Sequence, residues 1–440
     1  MVQAWIEFRS ENIAPGAELV VRFCMVTTFY PPYNFGGDGI FVRELALSLA
    51  KLGHYVRVIH CEDAYRLGAN PGDPGLPQRY DDQGVDVCRL KSSMGPLSPL
   101  LTQQLGHPAL KTGALVELLK DDFDIINYHN ISLIGGPAVL SLGNAPVKLY
   151  TLHEHWLVCA THIFWKNGVK RCDSRQCLQC CLRSGTPPQF WRYTGLAKRH
   201  LEKIDCLIAP SQFTADQHRQ LYPSVPTRII PLYSRLEPSK EMIGTWSNQE
   251  PPRFVYSGRI TASKGVESLL EKFTALEDYE LILAGEGDAL SRLKESFTQY
   301  SNIHFAGRLD EASLIGLYSS ATALLFPSLA PETFGLTAVE AMACGTPAIV
   351  RDAGGCAEII ETTKAGFVYR QNSELPALLH RIVREPGLRQ RLSELARSGS
   401  KKFYTRQRYL DDYLAVIDEL RRSRGTANEQ HSKILQGHDK

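Results

Sequence analysis

Short apolar runs alternate with helix-periodic segments along almost the whole chain, and this alternation limits its folds more than any other feature. The first run, Leu19–Thr27 (LVVRFCMVT), leads through a glycine-rich loop into Asp38–Leu52, where Phe41, Leu45, Leu49 and Leu52 recur at helical spacing. Further strand-like runs are Tyr55–Cys61, Asp124–His129, Val147–His153 and Cys206–Ser211. A β–loop–α–β order of this kind predicts a parallel sheet with helices on both faces. The alternation pauses at Gly244–Pro252 (GTWSNQEPP), a polar stretch with two prolines that reads as a linker. It restarts with Phe254–Ser257, Leu281–Ala284, Ile303–Ala306, Ala323–Pro327 and Pro347–Val350. A length of 440 residues suits two such units. The expected fold is therefore α/β, with two doubly wound Rossmann-like domains at 18–243 and 253–405. Tyr409, Tyr413, Val416 and Leu420 then predict a helix over Arg406–Arg424, followed by a polar, flexible tail at 425–440. Ligands of doubly wound sheets bind at the carboxyl ends of the strands. Two such domains facing one another predict a cleft between those ends, and the residues just after each strand become the candidates.

Composition excludes several other readings. Hydrophobic residues make up 43% and charged residues 22%, which is not the balance of a disordered, collagen-like or coiled-coil chain. Lys plus Arg is 49 and Asp plus Glu is 47, a net charge of +2, without the basic excess of a general nucleic-acid binder. No window reaches the roughly 18 apolar residues of a membrane helix. The opening MVQAWIEFRSENIAPGAE has no continuous apolar core like that of a signal peptide, so a cytoplasmic location is expected. The odd number of cysteines, 11, fits a reducing compartment.

Four strand-end motifs carry the chemistry. In Ser328–Pro347 (SLAPETFGLTAVEAMACGTP) a strand ends near Pro327, and a helix opens near Phe334–Gly335 and closes at Gly345, a residue suited to a helix C-cap. Glu340 lies on that helix among Val339, Ala341, Met342 and Ala343. A buried carboxylate needs partners, and the hydroxyls of a polyol such as ribose would serve. The free N–H groups at Phe334–Thr337, including those of Gly335 and Leu336, form an anion site suited to phosphate. Glu332, just before them, could hold the hydroxyls of a sugar attached to that phosphate. The plain alternative is a capping carboxylate and an internal salt bridge. The second motif is Ser257–Gly265 (SGRITASKG), where Arg259 and Lys264 follow a strand end; a guanidinium fork beside an ammonium suits a diphosphate. The third is Pro31–Gly39 (PPYNFGGDG), where Gly36 and Gly37 would let backbone approach a ligand; it is not a dinucleotide fingerprint. The Gly285–Gly287 turn (GEG) is a weaker signal of the same kind. The fourth is Leu152–Trp156 (LHEHW), which would place His153 at the carboxyl end of its strand.

Taken together, PPYNFGG, HEHW, GRITASKG and ETFGLTAVEAMACGTPAIV resemble the retaining glycosyltransferases of family 4, across about Val20 to Arg424. The resemblance implies a two-domain GT-B fold whose last helix, here Arg406–Arg424, crosses back onto the N-terminal, acceptor-side domain. It implies a nucleotide-sugar donor and a glycan or lipid-linked acceptor, with transfer of a hexose-type sugar in cell-surface polysaccharide or glycoconjugate synthesis. It places Gly36, Gly37 and the helix start at Phe334, Gly335 and Leu336 against the donor. Arg259 and Lys264 would clamp the diphosphate, Glu332 would hold the donor sugar, Glu340 the ribose, and His153 would contact the donor sugar from the opposite wall. Catalysis would rest with His153, Arg259, Lys264 and Glu332. No nucleophilic pair of the glycosidase kind is left over, and the implied mechanism is same-face substitution assisted by the departing phosphate. Asp122-Phe-Asp124 spells a D-x-D string but is expected to start a strand, and no catalytic metal is expected.

Five cysteines crowd into 159–181. Cys159, Cys172, Cys177 and Cys180 have the spacing C-x12-C-x4-C-x2-C, inside an insert at 157–186 with a hairpin tip at Trp165–Gly168 and too few apolar residues for its own core. Three readings compete: structural zinc held by four thiolates, an iron–sulfur cluster, and cysteines that are free or disulfide-paired. The insert would shape the acceptor side. The other six, Cys24, Cys61, Cys88, Cys206, Cys344 and Cys356, are scattered and read as packing residues. Two other function classes compete with transfer: a sugar-nucleotide epimerase on the same architecture, and a non-catalytic glycan- or partner-binding scaffold. No nucleic-acid partner is expected. Lys198, Arg199, His200 and Lys203 near Trp191 and Tyr193 would allow peripheral contact with anionic headgroups at the inner membrane face.

Overall fold

A computed structural model describes residues 20–68, 75–239 and 251–436. By internal contacts the chain divides into two compact units, Met1–Thr151 with Gln189–Cys206, and Leu152–Pro188 with Leu207–Lys440. The division therefore falls at Thr151 and Cys206, whereas the sequence suggested the linker at Gly244–Pro252, most of which lies outside the described residues. Hydrogen bonds described below join His153, Ser211 and Arg235 to the loop and helix that follow residue 326.

The first unit holds β1 (Arg22–Val26), β2 (Tyr55–Cys61), β3 (Arg79–Asp82), β4 (Val85–Leu90), β5 (Ile125–Tyr128) and β6 (Val147–Thr151), in the order β6-β5-β1-β2-β4-β3. All its pairings are parallel except β3–β4. The central strands are apolar on both faces, as a sheet covered by helices requires; Phe23, Met25, Val56, Val58, Ile125 and Leu149 are buried. The helix Gly37–Lys51 buries Phe41, Leu45 and Leu49. Leu52, expected on the same face, is its C-cap and is exposed, because the helix ends before it. The β3–β4 hairpin was not among the strands expected from the sequence; ion pairs hold it, Arg79 to Asp86 and Arg43 to Asp82, both at 2.7 Å.

The second unit holds a short antiparallel hairpin, β7 (Trp165–Lys166) and β8 (Lys170–Arg171), a parallel pair, β9 (Cys206–Ala209) and β10 (Thr227–Ile229), and a six-stranded sheet. That sheet comprises β11 (Arg253–Ser257), β12 (Glu280–Ala284), β13 (Ile303–Gly307), β14 (Ala323–Phe326), β15 (Ala348–Arg351) and β16 (Gly366–Tyr369). It is parallel throughout, in the order β13-β12-β11-β14-β15-β16. The chain winds one way from β11 to β13 and the other way from β14 to β16, so the topological switch lies between β11 and β14. In open parallel sheets that is where ligands bind. One core fixes this geometry: Phe254, Tyr256, Leu281, Leu283, Leu325 and Ile349 from the strands meet Leu269, Phe273, Leu379 and Leu392 from the helices. Burying each of the larger side chains is worth roughly 1.5–3 kcal/mol.

The last helix runs Arg406–Gln436, past the Arg424 expected from periodicity; residues 437–440 of the expected tail lie outside the described residues. Tyr409 packs on Tyr233 with ring centroids 5.4 Å apart, and Glu419 accepts from Arg228 at 2.6 Å, so this helix is fastened to the 228–234 segment.

Candidate donor-binding site

The loops that follow β11 and β14 flank the switch point of the second sheet. After β11, Gly258 takes a positive φ of 148° and Arg259 turns out to solvent. Tyr256, on the strand, donates its hydroxyl to the carbonyl of Arg259 at 2.6 Å, which pins the turn from beneath. A one-turn 3-10 helix, Ala262–Lys264, then presents Lys264, and Gly265 leaves it with φ 71°. A Cβ at Gly265 would lie 2.2 Å from the carbonyl oxygen of Pro327, at the end of β14. The two loops thus touch through backbone, and the amides of Leu329 and Ala330 donate to the carbonyl of Ser263 at 2.9 and 3.0 Å.

Across that seam Lys264 Nζ donates to Glu332 Oε1 at 2.6 Å, and Ser328 Oγ donates to the same oxygen. Both charged side chains are mostly but not fully covered, at 25% and 19% exposure. The backbone of Glu332 is fixed from the other side, where its amide donates to Ala353 and its carbonyl accepts from Gly355, each at 2.9 Å. Gly354, with φ 85°, makes this approach sterically feasible, since a Cβ there would lie 2.4 Å from the Glu332 carbonyl oxygen.

Thr333 ties the loop to the preceding part of the unit. Its carbonyl accepts from Ser211 Oγ at 2.6 Å and Thr214 Oγ1 at 3.0 Å, and its own hydroxyl donates to the carbonyl of His153 at 3.1 Å. His153, half-buried just after β6, is thereby attached to the Glu332 loop. His155, two residues on, has a different character. It is 1% exposed, packed among Phe164, Phe213 and His218, and burial, reinforced by His218, pushes its pKa down to about 3. Of the two histidines in HEHW it is the structural one.

Phe334 is buried, edge-on to Tyr404 with centroids 5.8 Å apart. Gly335 is the N-cap of the Leu336–Ala343 helix, with φ 151° and no side-chain cap; the Ala338 amide donates to its carbonyl at 3.0 Å, and the N–H groups of Leu336 and Thr337 keep the helix-start character that suits an anion. The helix starts two residues later than Phe334. It ends at Cys344, with Gly345 following at φ 81°, the expected glycine stop. Glu340 on this helix is 3% exposed. Burial pushes its pKa up, and Arg235, whose Nε donates to Glu340 Oε1 at 2.6 Å, opposes that shift. Arg235 was invisible to sequence reasoning: it sits in an irregular stretch 105 residues away.

The Gly285–Gly287 turn, the weakest of the sequence signals, proves to be steric. A Cβ at Gly285 would lie 1.9 Å from the Gly258 carbonyl oxygen, and one at Gly287 would lie 2.2 Å from that of Ile260. Both glycines let the turn after β12 press against the loop that displays Arg259. Arg259, Lys264, Glu332, Phe334, Gly335, Leu336 and Glu340 therefore lie on adjoining loops and one helix of a single sheet edge, with His153 joined to it.

In the first unit, Gly36 caps the Gly37–Lys51 helix without a side-chain bond. The glycine this turn cannot replace is Gly39, where a Cβ would lie 2.3 Å from Asn34 Oδ1 and 2.9 Å from the Phe29 carbonyl oxygen. Asn130, after β5, donates to Asp38 Oδ2 at 3.0 Å. The D-x-D string is built into the sheet edge: Asp124, buried just before β5, accepts the Arg22 amide at 2.7 Å, and the Asp122 carbonyl accepts from Arg22 Nε at 2.8 Å.

In the second unit Cys159, Cys172, Cys177 and Cys180 line one small cavity together with Trp165 and Lys166. Burial pushes the Cys172 thiol up, and Cys159, Cys177 and Cys180 add to the shift in that order. Cys181 is buried and does not line the cavity. The six scattered cysteines are buried among packed side chains, and burial raises Cys61 and Cys88 to about 11. No helix among the described residues is long and apolar enough to cross a membrane.

Two parallel sheets with their helices, and a phosphate-type helix start beside paired acidic and basic loops, define a GT-B architecture. Residues 35–233 match the family model for glycosyltransferase family 4, and residues 240–399 match that for glycosyl transferases group 1. The chain is a glycosyltransferase with the GT-B fold, of the family 4 type. It is 26% identical over 392 residues to an uncharacterised glycosyltransferase of Methanocaldococcus jannaschii, covering 84% of this chain and 91% of that protein. It is 24% identical to a glycogen synthase of Mycobacterium tuberculosis, covering 86% and 89%. A sucrose-phosphate synthase structure from Thermosynechococcus elongatus superposes with a TM-score of 0.67 at 19% identity, covering 94% of this chain and 100% of the other. The structure of Anabaena HepE in complex with UDP gives 0.57 at 17% identity, covering 90% and 99%. At these identities the two structures speak for the fold alone.

Proposed function

We propose that this chain transfers a hexose-type sugar, with retention of configuration, from a nucleotide-sugar donor to a glycan or lipid-linked acceptor in cell-surface polysaccharide or glycoconjugate assembly. The observation that carries the reading is the Lys264–Glu332 pair at 2.6 Å, set at the switch point between Arg259 and an uncapped helix start. A diphosphate brings two or more negative charges, and these loops supply an exposed guanidinium, an ammonium and orphan N–H groups within one seam. In this reading Lys264 and Arg259 hold the diphosphate and stabilise the charge that grows on it as the sugar leaves. Glu332 accepts donor-sugar hydroxyls, while Glu340, oriented by its bond from Arg235, accepts those of the ribose. His153 contacts the donor sugar.

No carboxylate is left free for a covalent intermediate in this assignment, so the substitution proceeds on one face. The departing phosphate oxygen takes the acceptor proton, and the protein contributes position and electrostatics. The HepE complex with UDP and the mannosyltransferases that use GDP-mannose show what similar proteins take, without selecting a base here. Exposed Phe190 and Tyr193 beside the basic Leu196–Leu201 helix favour peripheral contact with an anionic cytoplasmic membrane face, which sedimentation with anionic vesicles tests.

The deciding experiment is a thermal-shift screen against UDP-, GDP- and ADP-sugars, since a ligand raises the melting point with its affinity and concentration. It is followed by product analysis with acceptor, reading the anomeric configuration by NMR. No shift with any donor, or conversion of a donor to an isomer without acceptor, overturns the proposal.

A further inference from the structure

We propose that Cys159, Cys172, Cys177 and Cys180 bind one zinc ion as a tetrathiolate that staples the segment 157–186. The four thiols come from three separate stretches: the loop after β6, the end of β8, and one turn of the helix Cys177–Arg183. Residues 13, 5 and 3 apart in sequence converge on one cavity, and no other titratable side chain except Lys166 lines it. Four sulfur ligands with a C-x2-C pair on one side match a closed structural zinc site.

The segment needs such a staple. Its hairpin has two residues per strand and its helix seven, both too short to hold themselves together in water. Val169, Leu178 and Leu182 are exposed at 74%, 45% and 66%, so its apolar side chains do not form a core of their own. Two groups lie against the sulfur-lined cavity. The amide of Asn167 donates to Cys180 Sγ at 3.2 Å. Lys166, its side chain 7% exposed and its Nζ held by Asp173 at 2.9 Å, places a cation in the cavity wall. A divalent ion with four thiolates carries a net charge of about −2, and Lys166, shared with Asp173, places one positive charge beside it.

Binding is written as Zn²⁺ plus four thiols giving the tetrathiolate and four released protons, with no change of oxidation state. As the side chains stand, no three His, Cys, Asp or Glu side chains among the described residues are arranged to chelate an ion. Uptake therefore draws the thiols inward, and ion binding and ordering of the segment become one event.

The test uses the full chain, purified under reducing conditions, and is independent of donor chemistry. Elemental analysis should find about one zinc per chain, and replacement by Co²⁺ should give the thiolate charge-transfer and visible bands of a tetrahedral sulfur site. Cys172→Ser and Cys177→Ser should each lower zinc affinity by at least about tenfold, while Cys181→Ser keeps the ion. Because a ligand variant could misfold, zinc uptake by the unaltered protein against a competing chelator is measured as well. Iron with visible absorbance, disulfides among these cysteines in the native protein, or no zinc uptake by the reduced chain would each overturn the proposal.

Discussion

Lys264 and Glu332 are joined across the seam between the loops that follow β11 and β14, Nζ to Oε1 at 2.6 Å. Each occupies the other's charge. In the proposed reading a donor parts them, taking Lys264 to its phosphates and leaving Glu332 for its sugar hydroxyls. Lys264→Ala should therefore lower kcat by roughly a hundred- to a thousandfold, the scale of removing one preorganised transition-state charge partner. A change confined to KM would show uniform binding instead. Steady-state kinetics with saturating acceptor separates the two.

Glu340 and Arg235 make a second pair, in which the carboxylate is buried and the guanidinium is partly exposed. Glu340→Gln keeps the shape and removes the charge, and should raise donor KM several-fold with little effect on kcat. Arg235→Ala should do the same by a different route: without the guanidinium, burial alone pushes the Glu340 pKa further up. Donor binding in that variant should weaken further as pH falls, because the protonated acid is a poorer acceptor for hydroxyls. Titration of the donor at pH 8 and pH 6 reads this out.

Stability should fall on the acid side. Burial holds His155 at about 3 and His218 at about 4, both below the ordinary 6.5. From pH 6.5 downward the unfolded chain takes up protons that the folded chain refuses, so the contribution of each histidine is whole above 6.5 and is lost as pH falls towards the folded values. Each should cost about 2 kcal/mol between pH 6.5 and pH 5. His155→Phe should reduce the pH slope of unfolding by about one proton in this range, as measured by urea titrations. An unchanged slope would mean that the unfolded state shares the shift.

Gly287→Ala tests the steric reading of the turn after β12. A Cβ 2.2 Å from the Ile260 carbonyl oxygen must displace the loop that carries Arg259. We expect about 1–3 kcal/mol of lost stability, the scale of an overpacked contact, together with weaker donor binding. Differential scanning calorimetry and donor titration measure both.

Asp124→Ala should behave differently. Asp124 serves the Arg22 amide at 2.7 Å, so its loss should cost about 1–3 kcal/mol, the cost of a buried donor left without its acceptor. Activity per folded molecule should stay as it was. Loss of activity without loss of stability would return the D-x-D string to the chemistry.

Much of this was legible in the chain. The strands of both sheets that run through the core were visible because covered parallel strands are apolar on both faces, and their boundaries moved by only a few residues, as at β1 (Arg22–Val26 against Leu19–Thr27). The edge strand β3 (RYDD) was not legible, because it is mostly charged, whereas β4 (VDVCRL) carries a buried apolar pattern that strand periodicity could have found. The candidate residues on the second sheet edge were found from strand ends and glycine spacing. Their partners Arg235 and Ser211 were not, because each is a single polar side chain whose meaning comes only from a contact made far away in sequence. The GEG turn shows the same limit from the other side: two glycines read as a faint ligand signal, and only the neighbouring carbonyls reveal what they avoid.

The bond from Thr333 reaches the carbonyl of His153. Every amino acid has that carbonyl. This one fastening of the Glu332 loop is therefore indifferent to which side chain stands at 153, a mount that accepts more than one fitting. A library at 153, assayed against several sugar donors, should vary sugar preference and rate among the variants that stay folded.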